Sequence, residues 1–182
     1  MTLFLDRRAA AGALCLMLAA TNPAIGQESL LSPDAEVLAR QGLKAQVASL
    51  RAEIEGLVGD GTGEVDVARV QQDLTLIAAI LGAFPHLFGE GTSQEALAAA
   101  GSAVTTDAQP AIFEDLESFA AFAASVQGTA EVAAAESDPA ALHAATLALW
   151  DSCTACHDTY LAYEMDLGGG GDVGNLDFLN DF

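Results

Sequence analysis

Four segments of the chain repeat apolar residues at steps of three and four, the spacing of one face of an α-helix. No convincing strand pattern competes with them. The stripes contain Leu43, Val47, Leu50, Ile54 and Leu57; Val67, Val70, Leu74, Ile77, Leu81 and Phe84; Ile112, Leu116, Phe119, Ala123, Val126, Ala130 and Ala133; and Leu142, Leu149, Cys153, Cys156 and Tyr160. Two short connections and one longer one between such helices predict an all-α fold, an antiparallel four-helix bundle.

Caps, prolines and glycines mark the predicted helix boundaries. A cap residue followed by proline, at Ser32-Pro33 and again at Asp138-Pro139, predicts where the first and fourth helices begin. The glycines of residues 59–63 end the first helix and Pro85 ends the second. The third helix is predicted to begin near Pro110. It follows a long connection over residues 86–109 that contains a candidate short helix through Glu95–Ala100.

The first 26 residues have the pattern of a secretory signal peptide. Arg7-Arg8 precede an apolar run over residues 9–20, and Ala24-Ile25-Gly26 supplies small residues for cleavage. The run is short for a bilayer span, and an uncleaved membrane anchor is the alternative. We therefore predict a signal peptide over 1–26, the bundle over 27–167, and a flexible, glycine-rich acidic tail over 168–182, with a short docking segment as the alternative for the tail.

The charge of the mature chain restricts its partners. Of six cationic and 26 acidic residues, cleavage removes Arg7, Arg8 and Asp6, so four cationic and 25 acidic residues remain, a net charge of −21. Such an acidic chain is a poor partner for nucleic acid or for an anionic membrane surface. A protein partner should be basic or should meet an apolar patch. The remaining cations are Arg40, Lys44, Arg51 and Arg69.

Residues 153–157 read Cys-Thr-Ala-Cys-His, the attachment signature of a c-type haem. Two thiols can add to the two vinyl groups of the porphyrin, and the imidazole of the next residue can then reach the iron from the same face. Cys153, Cys156 and His157 stand at i, i+3 and i+4, which places them on one side of the fourth helix. Export fits this assignment, because c-type haem is attached outside the cytoplasm.

Zinc binding and thiol redox chemistry are the rival assignments for this motif. A zinc site needs three or four protein ligands. His143 stands fourteen residues before His157, about 21 Å along a helix, so the two imidazoles cannot share a metal ion. His86 lies in the long connection. A thioredoxin-like Cys-x-x-Cys needs a βαβ unit, which the pattern does not contain. A haem-free thiol oxidoreductase, or a local disulfide, is therefore the remote alternative.

Four segments in order resemble the cytochromes c′, the class II c-type cytochromes: "RQGLKAQVASL" (40–50), "FPHLFGEGT" (84–92), "QPAIFEDLESF" (109–119) and "CTACHDTY" (153–160). The resemblance covers residues 33–165. It implies a periplasmic four-helix-bundle protein with one haem c, attached through Cys153 and Cys156 and ligated by His157. It further implies Leu43 as the distal residue over the other haem face and Arg40 as a partner of a haem propionate, with an exposed arginine as the alternative.

The resemblance also implies two alternative states of the haem iron, each with its own function. In this family a first-helix methionine as sixth ligand gives low-spin electron carriers, whereas an apolar distal side gives five-coordinate iron that binds nitric oxide or carbon monoxide. Cleavage removes Met1 and Met17, and Met165 lies past His157 on the wrong side of the haem plane. We therefore predict a five-coordinate, high-spin haem that binds small gases, with electron transfer to a redox protein as a further or alternative role.

Three smaller expectations complete this interpretation. Lys44 is a less favoured sixth ligand, since it would need a lowered pKa and a turned helix. Val47, with Phe84 and Phe122 as candidate neighbours, should line the distal pocket. The family implies a homodimer through the first two helices, where small residues such as Ala48 and Ala52 permit contact. No acid–base pair or nucleophile in the sequence indicates an enzyme.

Overall fold

The computed structural model describes residues 30–59 and 63–161, so the predicted signal peptide and tail lie outside the described residues. The chain forms α1 (Pro33–Val58), α2 (Val67–Ala83), α3 (Gln94–Ala99), α4 (Pro110–Glu114), α5 (Leu116–Ala135) and α6 (Pro139–Tyr160), with a 3₁₀ turn over Phe84–Leu87. Within the described ranges the only β-type pairing is an isolated bridge between Ala108 and Leu161. The prediction of an all-α four-helix bundle, formed by α1, α2, α5 and α6, is confirmed.

The cap-and-proline pairs begin their helices where the sequence predicts. The side chain of Ser32 accepts a hydrogen bond from the N–H of Ala35 before α1, and that of Asp138 accepts one from Ala141 before α6. Proline stands in the first turn of both helices, where its missing N–H leaves no intrahelical bond unmade. At the other end of α1, Gly59 has a φ of 56°, a left-handed value that favours glycine.

The third predicted helix is interrupted, which the sequence did not indicate. Asp115 leaves the helical conformation, with φ −145° and ψ 74°, and separates α4 from α5. Its carboxylate accepts hydrogen bonds from the N–H of Ser118 at 2.9 Å and from the Ser118 hydroxyl at 2.7 Å. These bonds hold the pKa of Asp115 below its ordinary value. The apolar stripe runs on across the break, so periodicity alone predicts one helix where a local cap makes two.

Two apolar clusters hold the bundle together. The α2 helix packs against α1 and α5, and α5 packs against α6. The larger cluster contains Ile54, Leu74, Ile77 and Leu149, all fully buried. The smaller one is aromatic, and in it the Phe119 ring meets the Phe88 ring edge-on at 4.7 Å and the Tyr160 ring at 5.0 Å. In the described residues α1 and α6 have little direct backbone contact, and this leaves space between them.

Helix α2 has an apolar sequence and one buried acidic side chain. By length and composition the segment Val67–Leu87 could cross a membrane, but here it is a bundle helix and the turn that follows it. Its Asp73 side chain is fully buried, and Nε of Arg69 stands 3.4 Å from Oδ2. Burial raises the pKa of Asp73, Arg69 opposes this, and Glu53 adds to it. Arg69 thus lies between two carboxylates, the buried one of Asp73 and that of Glu53 on α1, with which it pairs more closely at 2.8 Å.

Candidate functional site

A large cavity opens between α1 and α6 and has further walls from α2, α5 and the long connection. It contains about 1240 Å³ of free space, its open side included. The cavity is open to solvent on one side, so a ligand can reach its lining residues from outside. The lining residues are mainly apolar, among them Val37, Leu43, Val47, Ile80, Leu81, Phe84, Phe88, Ile112, Phe119, Val126, Trp150 and Tyr160.

The α6 wall carries all three residues of the Cys-x-x-Cys-His motif. Cys153, Cys156 and His157 line the cavity and are half-buried, as their helical spacing predicts. Both cysteines are free thiols that pack against the larger apolar cluster. His143, on the same helix, is not among the residues that line the cavity, and its half-buried side chain has no hydrogen-bond partner at Nδ1.

Electrostatics keep these three groups uncharged near neutral pH. Burial raises the pKa of the Cys153 thiol to about 11, the neighbouring Cys156 adds to the shift, and Arg51 opposes it. Burial alone raises the pKa of Cys156 to about 11. Burial also lowers the pKa of His157, and the cations of Lys44 and Arg51 lower it further against the opposing charge of Asp158. A neutral imidazole has a ring nitrogen with the lone pair that a metal ligand needs.

The α1 wall carries the predicted distal and cationic residues. Leu43 and Val47 line the cavity as predicted, together with Arg40, Lys44 and Arg51. Of the two aromatic residues predicted near them, Phe84 lines the cavity. Phe122 is not among the lining residues and instead places its ring 5.9 Å from that of Tyr160.

Arg40 is buried, with 3% of its surface exposed, so the alternative of an exposed arginine is wrong. Its two terminal nitrogens donate hydrogen bonds to four oxygens of the long connection. These are the carbonyls of Leu87 and Thr92 and the hydroxyls of Thr92 and Thr106, at 3.0–3.2 Å. Burial lowers the pKa of Arg40 to about 10 although Glu36 opposes it. Arg40 therefore fixes the long connection onto α1, and its contact with a haem propionate stays a prediction.

A second buried charge fixes the same connection. Glu36 is 3% exposed and accepts a hydrogen bond from the N–H of Gly89 at 3.0 Å. A Cβ atom on Gly89 would stand 2.8 Å from Oε2 of Glu36, so glycine permits this close approach. The Arg40 guanidinium also lies over the Phe88 ring, 4.2 Å from its centroid. Arg40 and Glu36 on α1 thus hold the long connection at Phe88 and Gly89, and of these four residues Arg40 and Phe88 line the cavity.

Two residues of the site, Arg51 and Trp150, were not predicted from the sequence. The Arg51 guanidinium stands 5.0 Å from the centre of the Trp150 ring, and its Nε pairs with Glu55 at 2.7 Å. One signal was available, because Arg51 follows Arg40 and Lys44 on a single face of α1, at steps of four and seven residues. For Trp150 the sequence offered no comparable signal.

Known proteins are similar in sequence to this chain. A family model described as cytochrome C′ matches residues 35–161. Cytochrome c-556 of Agrobacterium tumefaciens (strain B2A) is 32% identical over 127 residues, which are 69% of this chain and 95% of that protein.

Solved structures share the fold. Cytochrome c′ of Thermochromatium tepidum has a TM-score of 0.62 and 28% identity, over 74% of this chain and all of that one. A ferrous variant of cytochrome c′ from Alcaligenes xylosoxidans with bound nitric oxide has a TM-score of 0.60 and 25% identity, over 75% of this chain and all of that one. The chain therefore belongs to the cytochrome c′ family, which binds haem c, and its Cys153, Cys156 and His157 fit the attachment motif of that cofactor.

Proposed function

We propose that this chain is a periplasmic haem c protein with five-coordinate, high-spin iron that binds small gases and can also carry electrons. One observation carries the proposal: two neutral thiols and a neutral imidazole line the same wall of a large, mainly apolar cavity. Cys153 and Cys156 would hold the haem through thioether bonds, and His157 would be its axial ligand. The bound haem supplies an iron that can bind a small ligand or exchange one electron.

The cavity residues fit this role by excluding water and fixing the cofactor. Leu43, Val47 and Phe84 offer apolar surface to the cavity, and residues of the aromatic cluster around Phe119 line it as well. The long connection, held by Arg40, forms a further wall through Thr106 and Ala108. Rigid walls of this kind keep a planar cofactor in one orientation, because packed side chains leave few alternatives.

The gas-binding part of the proposal depends on an open sixth coordination position. The described residues contain no methionine, and of the three in the sequence Met1 and Met17 belong to the predicted signal peptide and Met165 lies outside the described residues. Thiol redox chemistry is disfavoured, because reactive cysteines have a lowered pKa whereas burial raises the pKa of both thiols here. A relative with 25% identity has been obtained with bound nitric oxide, which supports the choice of ligand class.

Visible absorption spectra test the proposal directly. The protein should be secreted from a host that matures c-type cytochromes and recorded oxidised, dithionite-reduced, and reduced under carbon monoxide. We expect broad high-spin bands in the reduced protein that sharpen with carbon monoxide. Sharp low-spin bands that carbon monoxide leaves unchanged would instead assign electron transfer as the main function. A protein without covalent haem would contradict the proposal and would assign thiol chemistry to Cys153 and Cys156 instead.

The proposed location and charge agree with this role. Export through residues 1–26 would place the protein where c-type haem is attached, and the mature net charge of −21 keeps it soluble and repels anionic surfaces. A redox partner, where one exists, should offer a basic surface for the same reason. The site is proposed to bind and release its ligand without turnover of a substrate.

We also propose a homodimer through an α1–α2 face of small net charge, on which the exposed carboxylate of Glu53 is paired with Arg69 of α2 at 2.8 Å. On α1 the exposed residues opposite the cavity include Leu38, Gly42, Ala45, Ser49, Ala52 and Gly56; on α2 they include Ala68, Gln72, Thr75, Leu76, Ala79 and Ala83. These two helices are packed side by side. In so acidic a chain, a face of small net charge is where two copies can meet with the least repulsion. Ala52 belongs to this face, whereas Ala48 lines the cavity.

Placing an acid on this face should weaken the dimer. Ala45→Glu adds one negative charge per subunit, and a twofold interface brings the two new charges together. We expect the dimer dissociation constant to rise by at least about tenfold, measured by sedimentation equilibrium. Ala121→Glu, on the exposed side of α5, makes the same substitution outside the face. Equal dissociation constants for the two variants would show that the subunits meet elsewhere.

A further inference from the structure

Helix α6 ends one turn after His157. Its C-cap residue, Leu161, is extended, with φ −107° and ψ 133°, and its N–H donates to the His157 carbonyl at 2.9 Å. The last carbonyls of a helix have no partner within the helix, so an end without other donors frays. Glycine commonly follows the C-cap and closes a helix, but this chain has Ala162 there. The orientation of the His157 ring therefore depends on the groups that hold this turn.

Gln109, at the end of the long connection, holds the last turn of α6 with two donors. Its backbone N–H donates to the Tyr160 carbonyl at 3.1 Å, and its side-chain amide donates to the Leu161 carbonyl at 2.6 Å. A carbonyl only accepts, so the nitrogen of the amide faces it. Beside these bonds, Ala108 and Leu161 form the isolated antiparallel bridge. One residue of the connection thus supplies partners to two carbonyls at the end of α6.

The same stretch of the connection is fixed to α1. The Thr106 hydroxyl oxygen accepts hydrogen bonds from Arg40 at 3.0 Å and from the N–H of Ala108 at 3.2 Å. Thr106, Ala108 and Leu161 all line the cavity. Since α1 and α6 have little direct backbone contact in the described residues, residues 106–109 form a strap that joins α1 to the last turn of α6.

We propose that Gln109 is a positioning residue, which holds the last turn of α6 so that His157 meets the haem iron in one orientation. The inference rests on the proposed function, since it requires His157 as the axial ligand. Groups behind a metal ligand fix the orientation of that ligand and tune the metal. Gln109 is half-buried and is not among the residues that line the cavity, so it acts through this turn and not by contact with the cofactor.

Loss of the side-chain donor should loosen the turn and leave the bundle folded. Gln109→Met keeps a side chain of similar length and the backbone N–H, but it leaves the Leu161 carbonyl without the amide. One hydrogen bond between neutral groups contributes a net amount that corresponds to roughly two- to tenfold in an equilibrium constant. We therefore expect the amide hydrogens of residues 157–161 to exchange about fivefold faster.

A second readout reports on the axial ligand itself. The iron–histidine stretching band of the ferrous, haem-loaded protein, measured by resonance Raman spectroscopy, responds to the orientation of the imidazole. In Gln109→Met this band should broaden and move to lower frequency, because a loosened turn lets the ring adopt more orientations. A residue that only stabilised the fold would change the unfolding midpoint and leave this band unchanged.

The experiment measures both readouts on the haem-loaded wild type and on two variants of Gln109. Amide exchange is followed by mass spectrometry and the stretching band by resonance Raman spectroscopy. Gln109→Met should show faster exchange over residues 157–161 and the altered band. Gln109→Lys places an ammonium donor beside the same carbonyl, at the negative end of the helix, and should restore most of both readouts.

Gln94→Met is the matched control. It removes another glutamine side chain of the long connection, one whose amide oxygen accepts from the N–H of Thr106 at 2.9 Å. Its exchange over residues 157–161 and its stretching band should equal those of the wild type.

Three outcomes would overturn the inference alone, with the wild-type band present. These are a wild-type value of either readout in Gln109→Met, restoration of neither readout in Gln109→Lys, and equal changes in Gln94→Met. A wild type that carries no haem, or whose ferrous haem shows no iron–histidine band, would contradict the proposed function itself. The inference would then fail with it, because no axial histidine would be there to position.

Discussion

Replacing both Cys153 and Cys156 with serine is expected to abolish covalent haem attachment. A serine hydroxyl cannot form the thioether bond, and the haem would then be held by His157 and cavity packing alone. The measurement is the haem band that remains on the polypeptide after denaturing gel electrophoresis, compared at equal protein loading. The double variant should show none, and each single variant should show a weakened band with an altered absorption maximum.

The matched control for this experiment lies between the two cysteines. Thr154→Ser keeps the hydroxyl that donates to the Trp150 carbonyl at 3.0 Å and leaves both thiols in place, so its haem content should equal that of the wild type. Full covalent haem in the double serine variant would contradict the assignment of these cysteines. Loss of haem in Thr154→Ser would show that the motif region tolerates no change and that the comparison carries no information.

Replacing Arg40 with leucine is expected to lower the free energy of unfolding by about 3–5 kcal/mol, the cost typical of breaking a buried charged group away from its partners. The substitution leaves the buried hydroxyl and carbonyl of Thr92 without their donor and leaves the carboxylate of Glu36 without the nearby cation. It also removes the guanidinium from the Phe88 ring. The measurement is urea unfolding of the haem-loaded protein followed by circular dichroism.

A neighbour on the same helix serves as the control for Arg40. Gln41→Ala removes one exposed hydrogen bond from α1 to the carbonyl of Thr105, at 3.1 Å, and should cost about 1 kcal/mol or less. Equal costs for the two variants would contradict the role of Arg40 as the anchor of the long connection. Arg40→Lys should recover only a small part of the stability, because an ammonium cannot reproduce the planar fork that reaches four oxygens.

Several elements of the fold and of the site were predicted from the sequence alone. The helical stripes, the two cap-and-proline starts and the glycine after α1 are local signals, so they predict α1, α2, α5 and α6 closely. The Cys-x-x-Cys-His motif is also local, and its three residues share a wall because they are one helical turn apart. The break at Asp115 is local too, but an unbroken apolar stripe concealed it.

The contributions of Arg40 and Glu36 depend on contacts between distant parts of the chain. Arg40 and Thr106 are 66 residues apart in sequence, and no sequence pattern at either residue predicts their contact. Whether an arginine on a helix is exposed, reaches a cofactor or anchors a connection depends on which segment packs over it. The sequence left two of these readings open, and the fold excluded the exposed one.

The sequence by itself determined the four bundle helices and the haem-attachment motif, because each is set by residues within a few positions of one another, and it determined the acidic charge, because net charge is a sum over the whole chain. Only the tertiary structure decided that three cations meet in one cavity and that the long connection is fixed to α1 by two buried charges. The physical reason is that burial and charge pairing are properties of the assembled surroundings, which bring together residues from α1, α6 and the connection between α2 and α5.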